Sequence, residues 1–340
     1  MVTDISKVNE NWIYQSNKLI EASYTFTVLE QKLIRLLASM VKKDDEDFKE
    51  YKFRAIDLSK TLNIHKKTIY KELDQITDKL MSRYIKFKND DTEKFKKRHL
   101  IKIADFENGI LTMKIDEDMK EFYLKLNWYT KYQLQNIMQF KSTYSFRLYE
   151  LLKQYENIGY RVISIDNLRI IFDINKDQYP KYANLKQKVI NIAVNEINKN
   201  SDLSIEFEEL KDGRKVISIK FIIKSNSNSK NETAITGATE TEIKETNLIK
   251  QVQSIFYKHS ITELEASKIL KTAKNDVDII NQKYNIICQT NNIKNIVGAT
   301  IQAIKEDWQG QKQNKPSTFN NFKQRDYDFE DLEKKLLGWE

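Results

Sequence analysis

Ile56-Asp57-Leu58-Ser59-Lys60-Thr61-Leu62, then Asn63-Ile64-His65, then residues 66–83 with Ile69, Leu73, Ile76 and Leu80 in register, decide the fold. The first segment reads as a short amphipathic helix and the second as a turn. The third reads as a longer helix with one apolar face. Short helix, tight turn and longer helix make a helix-turn-helix. Upstream, Thr27-Val28-Leu29-Glu30 is a capping box opening a helix with Leu29, Leu33, Leu36, Leu37 and Met40 at helical spacing. A short strand at 51–54 follows the acidic turn Asp44-Asp45-Glu46-Asp47. Downstream, 84–88, 100–106 and 110–115 read as strands, with a charged loop at 89–99. Helix-turn-helix followed by a β-hairpin is a winged helix.

The same order returns. Residues 144–155 form a helix, a short strand precedes the short helix Ile165–Ile171, and 182–198 form a long helix. Its buried side is expected to carry Leu185, Val189, Ile192, Ala193 and Ile197. Strands at 203–210 and 215–223 close a hairpin at Lys211-Asp212-Gly213-Arg214, where Asp-Gly is a strong turn signal. The fold class is therefore α+β, with two tandem winged-helix domains. The expected division is an N-terminal arm (1–16), domain 1 (17–130), domain 2 (131–224), a flexible linker rich in Ser, Asn, Thr, Lys and Glu (225–247), a small helical C-terminal module (248–309) and a partly disordered tail (310–340). The tail carries Phe319, Phe322, Tyr327, Phe329 and Trp339. Most aromatics, among them Phe53, Phe106, Tyr144, Phe146, Tyr149, Phe172, Phe207 and Phe221, fall at periodic core positions.

Composition narrows the chemistry. The 340 residues hold 57 Lys and Arg against 49 Asp and Glu, a formal charge of +8. That balance suits a polyanion, although a solvated basic surface would show it too. One cysteine, Cys288, allows neither an internal disulfide nor a Cys-based zinc site. His65, His99 and His259 are too scattered for a metal-ligand pair or for the His-x-His of a nicking nuclease. No two of the seven glycines have the spacing of GxGxxG or of a Walker A loop. The opening residues have no signal-peptide pattern, and the most apolar run, 33–41, is too short to span a bilayer. A cytoplasmic chain with no membrane segment, cofactor, metal or catalytic machinery is expected.

Candidate DNA contacts follow from the helical wheel. Opposite Ile69 stand Thr68, Lys71, Gln75 and roughly Lys67, with Lys66 just before them. Lysines neutralise phosphates, whereas Gln and Thr can read base edges. The second long helix shows Asn184, Gln187, Lys188, Asn191 and Asn195, with Lys181 and Lys186 near its start. Amide stripes suit bidentate pairing with adenine, and a solvated face tolerates them equally. Lys94, Lys96, Lys97, Arg98 and His99 in the first wing, and Lys211, Arg214 and Lys215 in the second, read as cations that position the backbone of a duplex.

Three blocks carry a resemblance. They are Asn17-Lys18-Leu19-Ile20-Glu21-Ala22-Ser23-Tyr24-Thr25-Phe26-Thr27 through Glu30-Gln31; Ser142-Thr143-Tyr144-Ser145-Phe146-Arg147-Leu148-Tyr149-Glu150-Leu151-Leu152-Lys153-Gln154-Tyr155; and Tyr179-Pro180-Lys181-Tyr182 with Leu185-Lys186-Gln187-Lys188-Val189 and Glu196-Ile197-Asn198. In this order, over residues 17–224, they resemble the initiator Rep family, tandem winged-helix proteins that start replication of iteron plasmids. The resemblance implies binding to direct repeats in double-stranded plasmid origin DNA as a monomer. It also implies autorepression as a dimer formed through the first domain, and DNA contacts from Lys181, Lys186, Gln187 and Lys188. Gln187 stands where many relatives carry a basic residue. The segment 295–308 resembles the end of DnaD-like modules, and the aromatic tail resembles tails on such proteins. These features imply docking of a host replication initiator and of the replicative helicase or its loader. A repressor without a replication role would share the same fold.

Overall fold

Trp12–Ser16 (β1) enters the fold as a strand, and Ser16 caps the short helix Asn17–Glu21 (α1). The computed structural model describes residues 3, 5, 8–42, 45–88, 95–126, 129–226, 240–256, 259, 261–288 and 295–309. Thr27 caps α2 (Val28–Ala38) as expected: its hydroxyl accepts from the Glu30 N–H, and the Glu30 carboxylate accepts from the Thr27 N–H at 3.0 Å. β2 (Tyr51–Arg54), α3 (Ala55–Thr61) and α4 (Ile69–Ser82) complete the first helix-turn-helix. Ile69, Leu73, Ile76 and Leu80 are buried under α4.

The hairpin region differs from the sequence expectation. β3 (Tyr84–Lys88) pairs with β4 (Phe95–His99), so the second half of the charged loop is a strand. β5 (Ile101–Glu107) and β6 (Ile110–Ile115) join β2 in the order β2-β6-β5. The wing of this domain is therefore the β5–β6 hairpin, turned by Asn108 and Gly109 at φ 51° and 77°. The cationic run Lys96-Lys97-Arg98 lies on a separate two-stranded ribbon instead. Lys94 falls outside the described residues. Phe106, expected in the core, lies on the wing and is exposed.

After α5 (Lys120–Tyr123), β7 (Tyr129–Gln133) pairs antiparallel with β1. The end of the expected arm thus pairs with a strand that straddles the expected boundary between residues 130 and 131. α6 (Gln135–Met138) leads to α7 (Thr143–Lys153), β8 (Tyr160–Ser164) and α8 (Ile165–Ile171). The second long helix starts as α9 (Tyr182–Leu185), passes through a π turn (Lys186–Ile190) and continues as α10 (Asn191–Asn200). β9 (Leu203–Asp212) and β10 (Lys215–Ser225) form the wing of the sheet β8-β10-β9.

The two helix-turn-helix units repeat at the level of single hydrogen bonds. In the first, Asn63 has φ 55° and the Ile64 N–H reaches Ser59 O at 2.8 Å. In the second, Asp173 has φ 53° and the Ile174 N–H reaches Arg169 O at 2.9 Å. Asn and Asp take this left-handed conformation more readily than other side-chain-bearing residues.

α11 (Glu240–Ile255) begins inside the stretch expected to be linker. With α12 (Glu263–Thr272), α13 (Val277–Cys288) and α14 (Ile296–Lys305) it builds a module with its own core around Val252, Phe256, Ile269, Leu270, Ile280 and Tyr284. The two winged helices share one larger core instead. Residues 227–239 and the aromatic tail lie outside the described residues. No helix among the described residues is long and apolar enough to cross a membrane.

Candidate nucleic-acid interface

The long helix of each helix-turn-helix presents a polar surface to solvent. In the first domain Lys66, Lys67 and Thr68 occupy the turn before α4, while Lys71 and Gln75 lie on its outer face, and all five are exposed. Asp74 and Asp78 are exposed on the same helix together with Lys79, so cations outnumber acids only at its start. The first wing tip adds exposed Asp105, Glu107 and Asn108. These residues include no cation, and the expected cations Lys96, Lys97 and Arg98 lie on the ribbon. There Lys97 Nζ stands 4.2 Å from the Tyr84 ring centroid, and Arg98 pairs with Asp118 at 3.3 Å.

In the second domain Lys181, Asn184, Gln187 and Lys188 are exposed and Asn191 is partly so. The π turn sets this face. It inserts one residue into the helical phase, so Ile190 and Val194 turn into the core and Ile192, expected inside, is 43% exposed. Lys211, Arg214 and Lys215 are exposed around the wing tip, where Gly213 has φ 57°.

Lys186 is not a free cation. Its Nζ donates to Glu209 Oε1 on the wing strand at 2.7 Å, and the Tyr182 hydroxyl donates to the same oxygen at 3.0 Å. The Lys186 hydrogen bond, helped by Tyr182 and by the Lys186 charge, holds the Glu209 carboxyl below its ordinary range. The pair locks helix to wing. Sequence spacing could not have shown it, because the partners come from different elements.

A buried polar cluster joins α2 to α7. Glu150 on α7 accepts from Arg35 on α2, from Arg147 at 3.4 Å and from the Tyr132 hydroxyl at 2.5 Å. Arg147 also donates to Ile20 O, Ala22 O and the Tyr24 hydroxyl. Burial raises the Glu150 carboxyl, yet Arg35 and Arg147 outweigh it and hold it below the usual carboxylate range. On the far side Arg161 grips both Glu21 oxygens, at 2.7 and 2.9 Å. Lys250 of α11 donates to Gln154 O at 3.2 Å, docking the C-terminal module. Among the described residues no group of His, Cys, Asp and Glu is placed to hold a metal ion.

Comparison with known proteins agrees with this architecture. Residues 12–153 match the family model for the first winged helix of the initiator replication proteins, and residues 164–223 match the model for the second. A replication initiation protein of Escherichia coli is 24% identical over 210 residues, which cover 58% of this chain and 65% of the relative. The PI protein of Escherichia coli is 30% identical over 133 residues, 34% of this chain and 44% of the relative. The chain thus aligns with less than two thirds of either relative's length. A crystal structure of the Pi initiator protein in complex with iteron DNA shares the fold with a TM-score of 0.51 and 23% identity, covering 63% of this chain and 97% of that one. With both winged-helix models matched in order, the chain belongs to the initiator replication protein family.

Proposed function

We propose that this protein initiates plasmid replication by binding repeats in double-stranded origin DNA with both reader helices at once. The observation that carries the reading is the pair of outward polar helix faces mounted on one shared core through Arg35, Arg147 and Glu150. A fixed spacing lets two helices enter successive major grooves about one helical turn apart. The similarity to an initiator solved with iteron DNA supports the same reading. Lys66, Lys67, Lys71, Lys181, Lys188, Lys211, Arg214 and Lys215 neutralise phosphates; Thr68, Gln75, Asn184, Gln187 and Asn191 read base edges.

The bound initiator acts in the cytoplasm without covalent chemistry, opening an adjacent segment and recruiting the host initiator and the replicative helicase or its loader. A monomer binds the repeats, and a homodimer in equilibrium with it represses the initiator's own gene. Footprinting on DNA flanking that gene, at several salt concentrations, tests the proposal. Protected direct repeats spaced by whole turns, with a steep salt slope, are expected. A single protected inverted repeat would assign a repressor instead, and nicking of supercoiled plasmid would assign a nuclease.

A further inference from the structure

Tyr70 is the second residue of α4, and Phe106 lies near the tip of the strand that packs beside it. Their rings meet edge to face, with centroids 5.5 Å apart and planes at 70°. Neither is a core residue: Tyr70 is 56% and Phe106 43% exposed, while Ile69 and Leu73 on the same helix and Leu111 across the hairpin are buried. Two large rings are thus held by each other, in water, at the joint between reader helix and wing.

The surroundings define the ligand. Lys66 and Lys67 precede the pair and Lys71 follows it, all exposed, whereas the wing beyond is acidic at Asp105 and Glu107. Beside the two rings, the cationic side chains that suit a polyanion thus stand on the helix side, at the first turn of α4. That is the part of a reader helix that meets base edges in the major groove. Of the four bases only thymine offers an apolar group there, its 5-methyl. We propose that Tyr70 and Phe106 form an apolar seat for a thymine methyl, a specificity determinant of the first winged helix that rests on the DNA-binding reading above. The mutual ring contact fixes the seat before DNA arrives, so little side-chain freedom is lost on binding.

The test replaces thymines of a footprinted repeat, one at a time, with deoxyuracil, which lacks only the methyl. The full chain, Tyr70→Ala and Phe106→Ala are titrated at one salt concentration. For the unmodified chain, one or two positions should weaken binding by about fourfold each, the worth of one buried methyl. Each variant should bind thymine DNA several-fold more weakly and lose the deoxyuracil effect at those same positions. Full deoxyuracil sensitivity in the variants, or no sensitive position for the unmodified chain, overturns the proposal. So does a variant that changes only self-association, which would assign the rings to a protein interface. Repeat binding that persists without a methyl effect removes this proposal alone. Binding that never distinguishes repeats from random DNA removes the parent reading with it. The deoxyuracil series on the unmodified chain stands even where a variant folds poorly.

Discussion

Arg35 Nη2 donates to both carboxylate oxygens of Glu150, at 2.8 and 2.9 Å, although the two residues stand 115 positions apart, one on α2 and the other on α7. Both side chains are almost fully buried. Removing one partner leaves the other charge stranded in the core. Arg35→Met should therefore cost about 3–5 kcal/mol of stability, whereas a paired apolar replacement of Arg35 and Glu150 should cost much less. Denaturant unfolding followed by two probes checks this. The unmodified winged helices should unfold together, because they share one core.

The same carboxylate predicts acid lability. Its folded-state pKa lies below the ordinary value because Arg35 and Arg147 outweigh the effect of burial. The contribution is fully present above the unfolded pKa of about 4.3 and disappears as pH falls through the lower folded value. Stability measured from pH 6 downward should therefore fall less steeply in the paired apolar variant than in the unmodified chain.

Lys186 is a cation that the wing has already claimed. Glu209→Gln would release it to face a phosphate. One additional neutralised phosphate steepens the salt dependence of DNA binding by about 0.9 in log–log slope. The expected result is tighter binding to both random and repeat DNA, read by titration across salt. An unchanged slope would mean that Lys186 stays turned toward the wing even when unpaired.

Local chemistry was legible in the sequence wherever one element decided it. The Thr27 capping box, both helix-turn-helix units and the Asp-Gly wing all followed from spacing and turn residues. Features made by elements far apart in sequence were not legible: the β1–β7 pair, the Lys186–Glu209 clasp and the Arg35–Glu150 bridge. The β3–β4 ribbon was hidden by composition, because Phe95-Lys96-Lys97-Arg98-His99 is a charge run with no apolar alternation. The π turn was missed for a different reason. An apolar run such as Val189-Ile190-Asn191-Ile192-Ala193-Val194 fits more than one helical phase, and only packing selects one. Ile190→Ala should cost about 2–5 kcal/mol as a core truncation. Ile192→Ser, on the exposed face, should stay within about 0.5 kcal/mol. Thermal melts of the two variants distinguish the phases directly.

Lys250 makes docking of the C-terminal module sensitive to alkali. Burial against the winged helices, with Arg161 nearby, lowers its pKa to about 8 despite Glu21 and Glu263. The unfolded chain keeps that proton to about 10.4, so between these values the unfolded state binds more protons and stability rises with pH. The midpoint for loss of the module should climb between pH 8 and pH 10 in the unmodified chain. Lys250→Met should flatten that climb, and an identical pH profile would place the ammonium in water.

Lys188 and Gln187 are adjacent and exposed on one reader helix, yet they should fail in different ways. A lysine on a phosphate contributes equally to every sequence, so Lys188→Ala should weaken repeat and random DNA alike and reduce the salt slope by about 0.9. An amide on a base edge contributes only where its partner base is present. Gln187→Ala should therefore leave the salt slope and random-DNA affinity unchanged while costing about 1–3 kcal/mol on the repeat, with discrimination relaxed at one base pair. Titrations of both variants against the repeat, its single-base-pair substitutions and random DNA separate the two roles. If Gln187→Ala behaves like Lys188→Ala, the amide touches the backbone, and sequence reading in this domain must come from Asn184 or Asn191.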